Sequence, residues 1–216
     1  MKNLVFEKQT NAHVYVIEDD ESMRRALSML LRANGYKVES FESAPAFFKF
    51  LKPEGPSCVI LDVRLKGHSG LAVQEQFLDA KLDIPIIFMT AHGDIAMSVQ
   101  AMKAGAVDFL AKPFRDQDML DAVANALNNH ARRIETARAE ESLHTNYTAL
   151  SSREKEVMAY VVKGLLNKQI AGKLDLNEVT IKFHRAQAMK KMGAKSLAEF
   201  VLQARMLGIV ADPAAP

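Results

Sequence analysis

Glu18-Asp19, Asp62, Thr90 and Lys112-Pro113 follow one another along the chain, each at the carboxyl end of a short apolar run. Carboxylates gathered at one edge of a parallel sheet can hold a hard divalent cation through oxygen ligands, while a hydroxyl and an ammonium can receive a phosphoryl group. Magnesium-assisted phosphoryl transfer to an aspartate uses all of these groups together. Singly, each has a plainer reading. Glu18-Asp19-Asp20-Glu21 could be a solvated helix entry, where carboxylates favour the positive end of the helix dipole. Thr90 could end a strand, and Lys112 could be exposed. Asp62 is the most pointed case, because it closes the run Cys58-Val59-Ile60-Leu61 and an ionised side chain there needs water, a partner or a metal.

The elements that must position these groups are legible as a βα repeat. His13–Ile17, Tyr36–Phe41, Ser57–Leu61, Ile84–Met89 and Ala106–Ala111 are rich in Val, Ile and Phe and predict strands, with longer amphipathic stretches between them. Continuous apolar runs such as Ile84-Pro85-Ile86-Ile87-Phe88-Met89 predict burial on both faces. Right-handed crossovers then give a five-stranded, doubly wound parallel sheet of the α/β class with helices on each side. Ser43 before Ala44-Pro45 and Ser69 before Gly70-Leu71 are candidate helix N-caps.

The chain has 216 residues, 49% of them hydrophobic and 25% charged, a composition that suits two ordinary globular domains. The net charge of +2 hides an asymmetry: from Tyr147 onward eleven Lys/Arg face six Asp/Glu, which leaves residues 1–146 at −3. An acidic front and a basic back imply different partners. Cys58 is the only cysteine, which excludes an intrachain disulfide framework and fits a reducing compartment. The segment Met1–Lys8 lacks the sustained apolar core of a secretory signal, and no apolar stretch approaches membrane-spanning length, so the expectation is a cytoplasmic protein with no membrane partner. The tail Ala211–Pro216 is expected to fray.

From Asp116 a helical pattern runs past Leu127 into Asn128–Glu135, dense in charge, and reads as a connector. Leu120, Val123, Leu127, Ile134 and Ala137 leave a thin apolar seam that could pair with a second copy or simply lie on a solvated helix. Beyond it, Ser151-Ser152-Arg153-Glu154 and Ser196-Leu197-Ala198-Glu199 both carry capping-box spacing. Between them lie a short helical candidate, Lys168–Leu174, the tight connection Asp175-Leu176-Asn177, and a longer helix from Glu178 to Met192. That is the outline of a helix-turn-helix in a small all-α domain. On the longer helix, Ile181, Arg185, Ala188 and Met192 form one stripe and Val179, Phe183, Ala186 and Lys190 another, nearly opposite. Apolar content alone does not say which faces the core.

Val14-Tyr15-Val16-Ile17-Glu18-Asp19-Asp20, Asp62 followed by Ser69-Gly70, Thr90-Ala91 and Lys112-Pro113-Phe114 together resemble the receiver domain of two-component response regulators, over residues 12–127. Ala101-Met102-Lys103-Ala104-Gly105-Ala106-Val107-Asp108-Phe109 is similar to the FixJ branch. The resemblance implies a flavodoxin-like receiver in which Asp62 is the phosphate acceptor. Glu18, Asp19, Asp62 and the backbone carbonyl of Arg64 would hold Mg2+, and Thr90 and Lys112 would bind the phosphoryl group. It also implies that Phe109 turns inward when Thr90 moves, reshaping the surface made by the fourth helix and fifth strand. Two positions depart from the pattern: Glu18 stands where aspartate is more frequent, and Lys66 where proline is common, which bears on phosphate lifetime.

Leu150–Val157, Gly164–Ala171 and Val179–Arg185 resemble the LuxR/NarL type of DNA-binding domain. That resemblance puts Ile181 inside and turns Lys182, Phe183 and Ala186 toward the major groove, where Lys182 could contact guanine or phosphate and Phe183 a thymine methyl. Asn167, Lys168, Thr180 and Lys190 are candidates for phosphate contacts, which position a domain without reading sequence. Asn167 could instead cap its helix, and either lysine could be an ordinary surface residue. His184 has no partner ligands at useful spacing for a metal.

The organisation read from these features is a phosphoacceptor receiver over 1–127, a helical linker over 128–147 and a LuxR-type helix-turn-helix domain over 148–216. It implies a transcription factor, not a turnover enzyme. A sensor histidine kinase would phosphorylate Asp62, dimers would form, and double-stranded DNA would be bound. The competing reading is a metal-dependent phosphohydrolase with an aspartyl-phosphate intermediate, which would share Asp62, the metal and the lysine. Against it, Arg64 stands two residues after the nucleophile where a companion general acid is needed.

Overall fold

The computed structural model describes residues 12–50, 55–65, 68–80, 82–91, 99 and 101–209. Lys66, the amino-terminal segment Met1–Lys8, the tail Ala211–Pro216 and most of the segment expected to form the receiver's fourth helix lie outside the described residues.

Five parallel strands build the first part of the chain: β1 (His13–Ile17), β2 (Lys37–Phe41), β3 (Ser57–Asp62), β4 (Ile86–Ala91) and β5 (Asp108–Lys112), ordered β2-β1-β3-β4-β5. Alternate residues of the central strands point into two different cores, as a pleated strand buried on both faces requires. Val14, Val16, Cys58, Ile60, Ile87 and Met89 meet α1 (Glu21–Ala33) through Leu27 and Leu31. They also meet α4 (Asp116–Thr148) through Met119, Val123 and Leu127. Tyr15, Ile17, Val59, Leu61, Ile86 and Phe88 meet α2 (Ala44–Phe48) and α3 (Gly70–Asp79) through Phe47, Val73 and Phe77. The chain reverses direction of winding between β1 and β3, so their carboxyl ends flank the crevice where such sheets bind ligands.

Strand existence follows the sequence, while several boundaries shift by one or two residues, and two of these shifts have a clear cause. β4 starts at Ile86, not Ile84, because Pro85 has no N–H for the ladder and contributes only its carbonyl, which accepts from Val59 N at 2.9 Å. β5 starts at Asp108, not Ala106, because the amide of Ala106 turns back to the carbonyl of Ala101 at 3.0 Å. Ser43 and Ser69 do sit at N-cap positions, yet neither side chain makes a capping bond. A two-residue antiparallel ladder pairs Arg64 with Ser69 and Leu65 with His68 directly after β3.

Helix α4 is 33 residues long. Val123 and Leu127 of its apolar seam are buried in the sheet's own core, with Leu120 packed beside them, so that part of the seam is not open to a second copy. Past Leu127 the helix stays tied to the sheet: His130 Nδ1 lies 2.9 Å from Ser57 N and 2.8 Å from Ser57 O, and Arg133 forms an ion pair with Asp83. Compact packing divides between Glu135 and Thr136. No helix among the described residues is long and apolar enough to cross a membrane.

The second unit holds α5 (Ser152–Val162), α6 (Asn167–Leu174), α7 (Glu178–Met192) and α8 (Leu197–Met206) around a core that includes Val157, Met158, Ile170, Ile181, Ala188, Met192 and Phe200. Both halves of the Ser151/Glu154 capping box form. At Ser196 only one half does: Ser196 Oγ accepts from Glu199 N at 3.1 Å, while the Glu199 carboxylate takes Lys195 N instead. Asp175 closes α6 with φ 51°, and Asn177 opens α7 by accepting from Thr180 N at 2.7 Å. The three-residue turn between the helices is thereby fixed at both ends.

Candidate functional site

The acidic run divides its labour. Asp20 caps α1, its Oδ1 accepting from Met23 N at 2.7 Å, whereas Glu18 turns inward and is 1% exposed. Asp62, at the end of β3, is 8% exposed. Glu18, Asp19 and Asp62 each offer a carboxylate oxygen within 4.8 Å of the others, which makes them the one such cluster among the described residues. Three oxygen donors of this kind suit a hard divalent cation. Lys112 reaches over from the end of β5, placing Nζ 2.8 Å from Glu18 Oε2 and 2.7 Å from Asp62 Oδ2. The Lys112-Pro113 bond is cis.

Burial pushes the Glu18 carboxyl above its ordinary value; the hydrogen bond from Lys112 works against that shift and the charge of Asp62 adds to it. Burial alone would lower Lys112, but its bonds to Asp62 and Glu18 prevail and hold it above the usual lysine value. The ammonium thus stands between two carboxylates that would otherwise repel one another.

The end of β3 is held in place by close packing behind it. Gly70 N donates to Val63 O at 2.8 Å, and a Cβ at Gly70 would lie 2.8 Å from the carbonyl oxygen of Asp62 and from Val63 Cα. Only glycine allows that approach. On the solvent side, Arg64 N donates to Asp62 Oδ1 at 2.9 Å.

Thr90 lies on β4, level with Ala111, and Phe109 lies on β5, three residues before Lys112. The Thr90 hydroxyl is buried and donates to the carbonyl of Ala91 at 3.1 Å. Phe109, half-buried, sits opposite Phe88 in the ladder with ring centroids 6.4 Å apart. Reading the sequence missed Arg24, whose Nη1 donates to the carbonyls of Glu18 at 2.7 Å and Asp19 at 3.3 Å. It also missed Gln74, buried on α3, whose Nε2 donates to Ala104 O at 3.0 Å. Arg24 had a signal: once Asp20 is the N-cap, the fourth helical residue lies over the preceding loop. Gln74 had none, because its partner is 30 residues away.

On α7 the choice between stripes is settled by packing. Ile181, Ala188 and Met192 are buried, while Val179 is 74% and Phe183 59% exposed, with Lys182, Ala186 and Lys190 also at the surface. Lys182 Nζ rests 3.1 Å from Glu178 Oε1, a solvent-exposed pair that contributes little and can exchange partners. Asn167 does not cap its helix: Oδ1 accepts from Arg185 Nη1 at 3.1 Å, joining α6 to α7. Thr180 donates through both N and Oγ1 to Asn177 Oδ1, and Lys168 is exposed. His184 packs its ring edge against Phe183, 5.7 Å between centroids.

Residues 14–124 match the model for the response regulator receiver domain, and residues 148–204 match that for bacterial regulatory proteins of the luxR family. The chain is 48% identical over 206 residues to nodulation protein W of Bradyrhizobium diazoefficiens, covering 95% of this chain and 91% of that protein. It is 37% identical to the transcriptional regulatory protein FixJ of the same species, covering 94% and 99%. Among solved structures, the response regulator StyR aligns with a TM-score of 0.83 at 43% identity over 90% of this chain and 98% of that one. Both halves of the chain, and its relatives along nearly their whole length, lead to one conclusion: the protein is a response regulator that joins a receiver domain to a LuxR-type DNA-binding domain and is homologous to the FixJ and nodulation protein W transcription regulators.

Proposed function

We propose that Asp62 is the phosphate acceptor of this regulator, with Glu18, Asp19, Asp62 and the backbone carbonyl of Arg64 holding Mg2+. The observation that carries the reading is the Lys112 ammonium bonded at once to Asp62 and Glu18, with the Asp19 carboxylate in reach of both acids. A bound magnesium ion would supply positive charge to the phosphoryl oxygens. In the transfer, an Asp62 carboxylate oxygen forms the new P–O bond as the donor's P–N bond breaks, and the donor imidazole leaves with the electron pair. Lys112 offsets the charge that repels the incoming group. Supporting a histidine-kinase donor, an apolar hollow bordered by Met23, Leu27, Leu30, Pro113 and Phe114 opens beside Lys112 and offers a seat for a protein carrying the phosphohistidine.

Once attached, the phosphoryl group adds roughly two negative charges. Thr90 Oγ1 leaves the Ala91 carbonyl to bind it, and Phe109 moves into the vacated space. The event biases a two-state element and promotes homodimerisation. Two second units then bind double-stranded DNA through α7: Lys182, Phe183 and Ala186 face the bases, while Asn167, Lys168, Thr180 and Lys190 face phosphates. The working domains are a receiver over 1–127, a linker over 128–147 and a DNA-binding domain over 148–216, acting in the cytoplasm. Each chain stores one phosphoryl group, and turnover is no part of the reading.

The test compares wild type with Asp62→Asn in the presence of Mg2+ and a small phosphodonor, following covalent phosphate, oligomeric state and DNA selection. All three should respond in the wild type alone. Identical dimerisation and DNA binding in the two proteins would overturn the switch, and sustained release of phosphate from an organic ester would favour a phosphohydrolase.

A further inference from the structure

The acidic pair lies just past the sheet. The ladder registers of β1 end at Ile17, which pairs with Phe41 on one side and Leu61 on the other. The carbonyls of Glu18 and Asp19 therefore fall outside the strand pairing, and buried or half-buried carbonyls need partners from elsewhere. One guanidinium provides them: Arg24 Nη1 donates to Glu18 O at 2.7 Å and to Asp19 O at 3.3 Å. Arg24 is itself anchored. Its amide donates to Asp20 O at 2.9 Å, and its carbonyl accepts from Ser28 Oγ at 2.7 Å. On the other side of the turn, Glu18 Oε1 accepts from Asp20 N at 3.2 Å.

We propose that Arg24 is a positioning residue for the cation site, an inference that rests on Glu18, Asp19 and Asp62 being the ligand set. By taking both carbonyls into one guanidinium, it fixes the backbone from which the two carboxylates project and keeps those carbonyls from competing as ligands. It touches neither the phosphoryl group nor the metal. Groups that orient metal ligands in this way typically govern affinity by 10- to 100-fold. The positive charge acts in the opposite sense, since a guanidinium near the site repels a divalent cation. The two effects separate in Arg24→Lys, which keeps the charge but carries it on a shorter side chain without the Nη1 group that donates to both carbonyls.

The experiment is a calorimetric titration of the full chain with Mg2+ alone, without a phosphodonor, for wild type, Arg24→Lys, Arg24→Gln and Asp19→Asn. A loss of α1 stability would lower the unfolding midpoint of the metal-free protein but leave the dissociation constant of the folded protein unchanged, so midpoint and affinity are recorded together. Arg24→Lys should weaken Mg2+ binding by roughly tenfold. An unchanged affinity in Arg24→Lys, or tighter binding in Arg24→Gln with Arg24→Lys like wild type, would show that Arg24 acts only through charge and overturn the proposal. No Mg2+ binding by the wild type, or undiminished binding by Asp19→Asn, would instead sink the ligand set itself and the role of Arg24 with it.

Discussion

Lys112 Nζ and Asp62 Oδ2 stand 2.7 Å apart, and the same ammonium reaches Glu18 Oε2 at 2.8 Å. The lysine is therefore the counter-charge for two largely buried acids. Lys112→Met should destabilise the first unit by about 1–3 kcal/mol at neutral pH, below the usual cost of breaking a fully buried pair because the site reaches solvent. Mg2+ should restore more stability to this variant than to the wild type, since it supplies the missing charge. Urea unfolding with and without Mg2+ measures this, and an equal metal effect in the two proteins would refute it.

Gly70 meets the carbonyl of Asp62 and the Cα of Val63 so closely that an added methyl would lie 2.8 Å from both. These neighbours are backbone and cannot swing aside. Gly70→Ala should cost about 1–3 kcal/mol and slow phosphorylation of Asp62 by displacing the acceptor. Gly105→Ala, with open space around the same methyl, should leave that rate unchanged and cost only the strain of its φ of 94°. Parallel measurements of unfolding and donor-dependent phosphorylation decide the matter; equal rates in the two variants would count against it.

His130 is buried, and burial holds its imidazole below the ordinary 6.5 despite the opposing hydrogen bond with the Ser57 carbonyl. The unfolded chain therefore binds a proton that the native state refuses between the lowered value and 6.5. The contribution to stability is complete above that upper value and is lost as pH falls through the window, with a slope of at most about 1.4 kcal/mol per pH unit. In His130→Gln the slope difference from wild type should appear only there. Superimposable pH–stability curves would show that this histidine does not titrate with folding.

Ile181 and Phe183, two residues apart on α7, should separate stability from DNA recognition. Ile181→Ala should cost about 2–4 kcal/mol in the second unit, because the side chain lies wholly in its core. Phe183→Ala should change stability by no more than about 0.5 kcal/mol yet weaken specific DNA binding, by about 1–3 kcal/mol if the ring meets a base. Lys190→Ala should lower affinity for all sequences alike and reduce the salt slope by about one unit. Thermal unfolding combined with salt-dependent DNA binding checks all three. Unaltered binding in Phe183→Ala would point away from the exposed stripe as the reading face.

Local patterns in the sequence carried far. Alternating apolar runs located the five strands, because burial on both faces leaves few polar residues inside them. The Ser151/Glu154 box and the Glu178–Met192 helix were legible from groups three or four residues apart. The failures occurred where a bond partner could be supplied from more than one place. Pro85 and Ala106 fit a strand by composition, yet the missing N–H of one and the helix-end bond of the other move the ladder by two residues. The second capping box matched in spacing, but its carboxylate bonds one residue earlier.

Residue type and order carry the proposed chemistry: Glu18, Asp19, Asp62, Thr90 and Lys112 can serve phosphoryl transfer wherever a parallel sheet brings strand ends together, and that sheet is written in short-range periodicity. Tertiary structure decided matters in which one pattern permits two partners. The seam of Leu120, Val123 and Leu127 would serve a second copy as well as the sheet, and packing gave it to the sheet. The two stripes of α7 are similar in apolar content, and only the neighbouring helices select Ile181 for the core. Arg24 on the acidic carbonyls, Gln74 on Ala104 and His130 on Ser57 belong to the same class. Each is a polar contact chosen by the approach of two backbones in space, which no periodicity along the chain records.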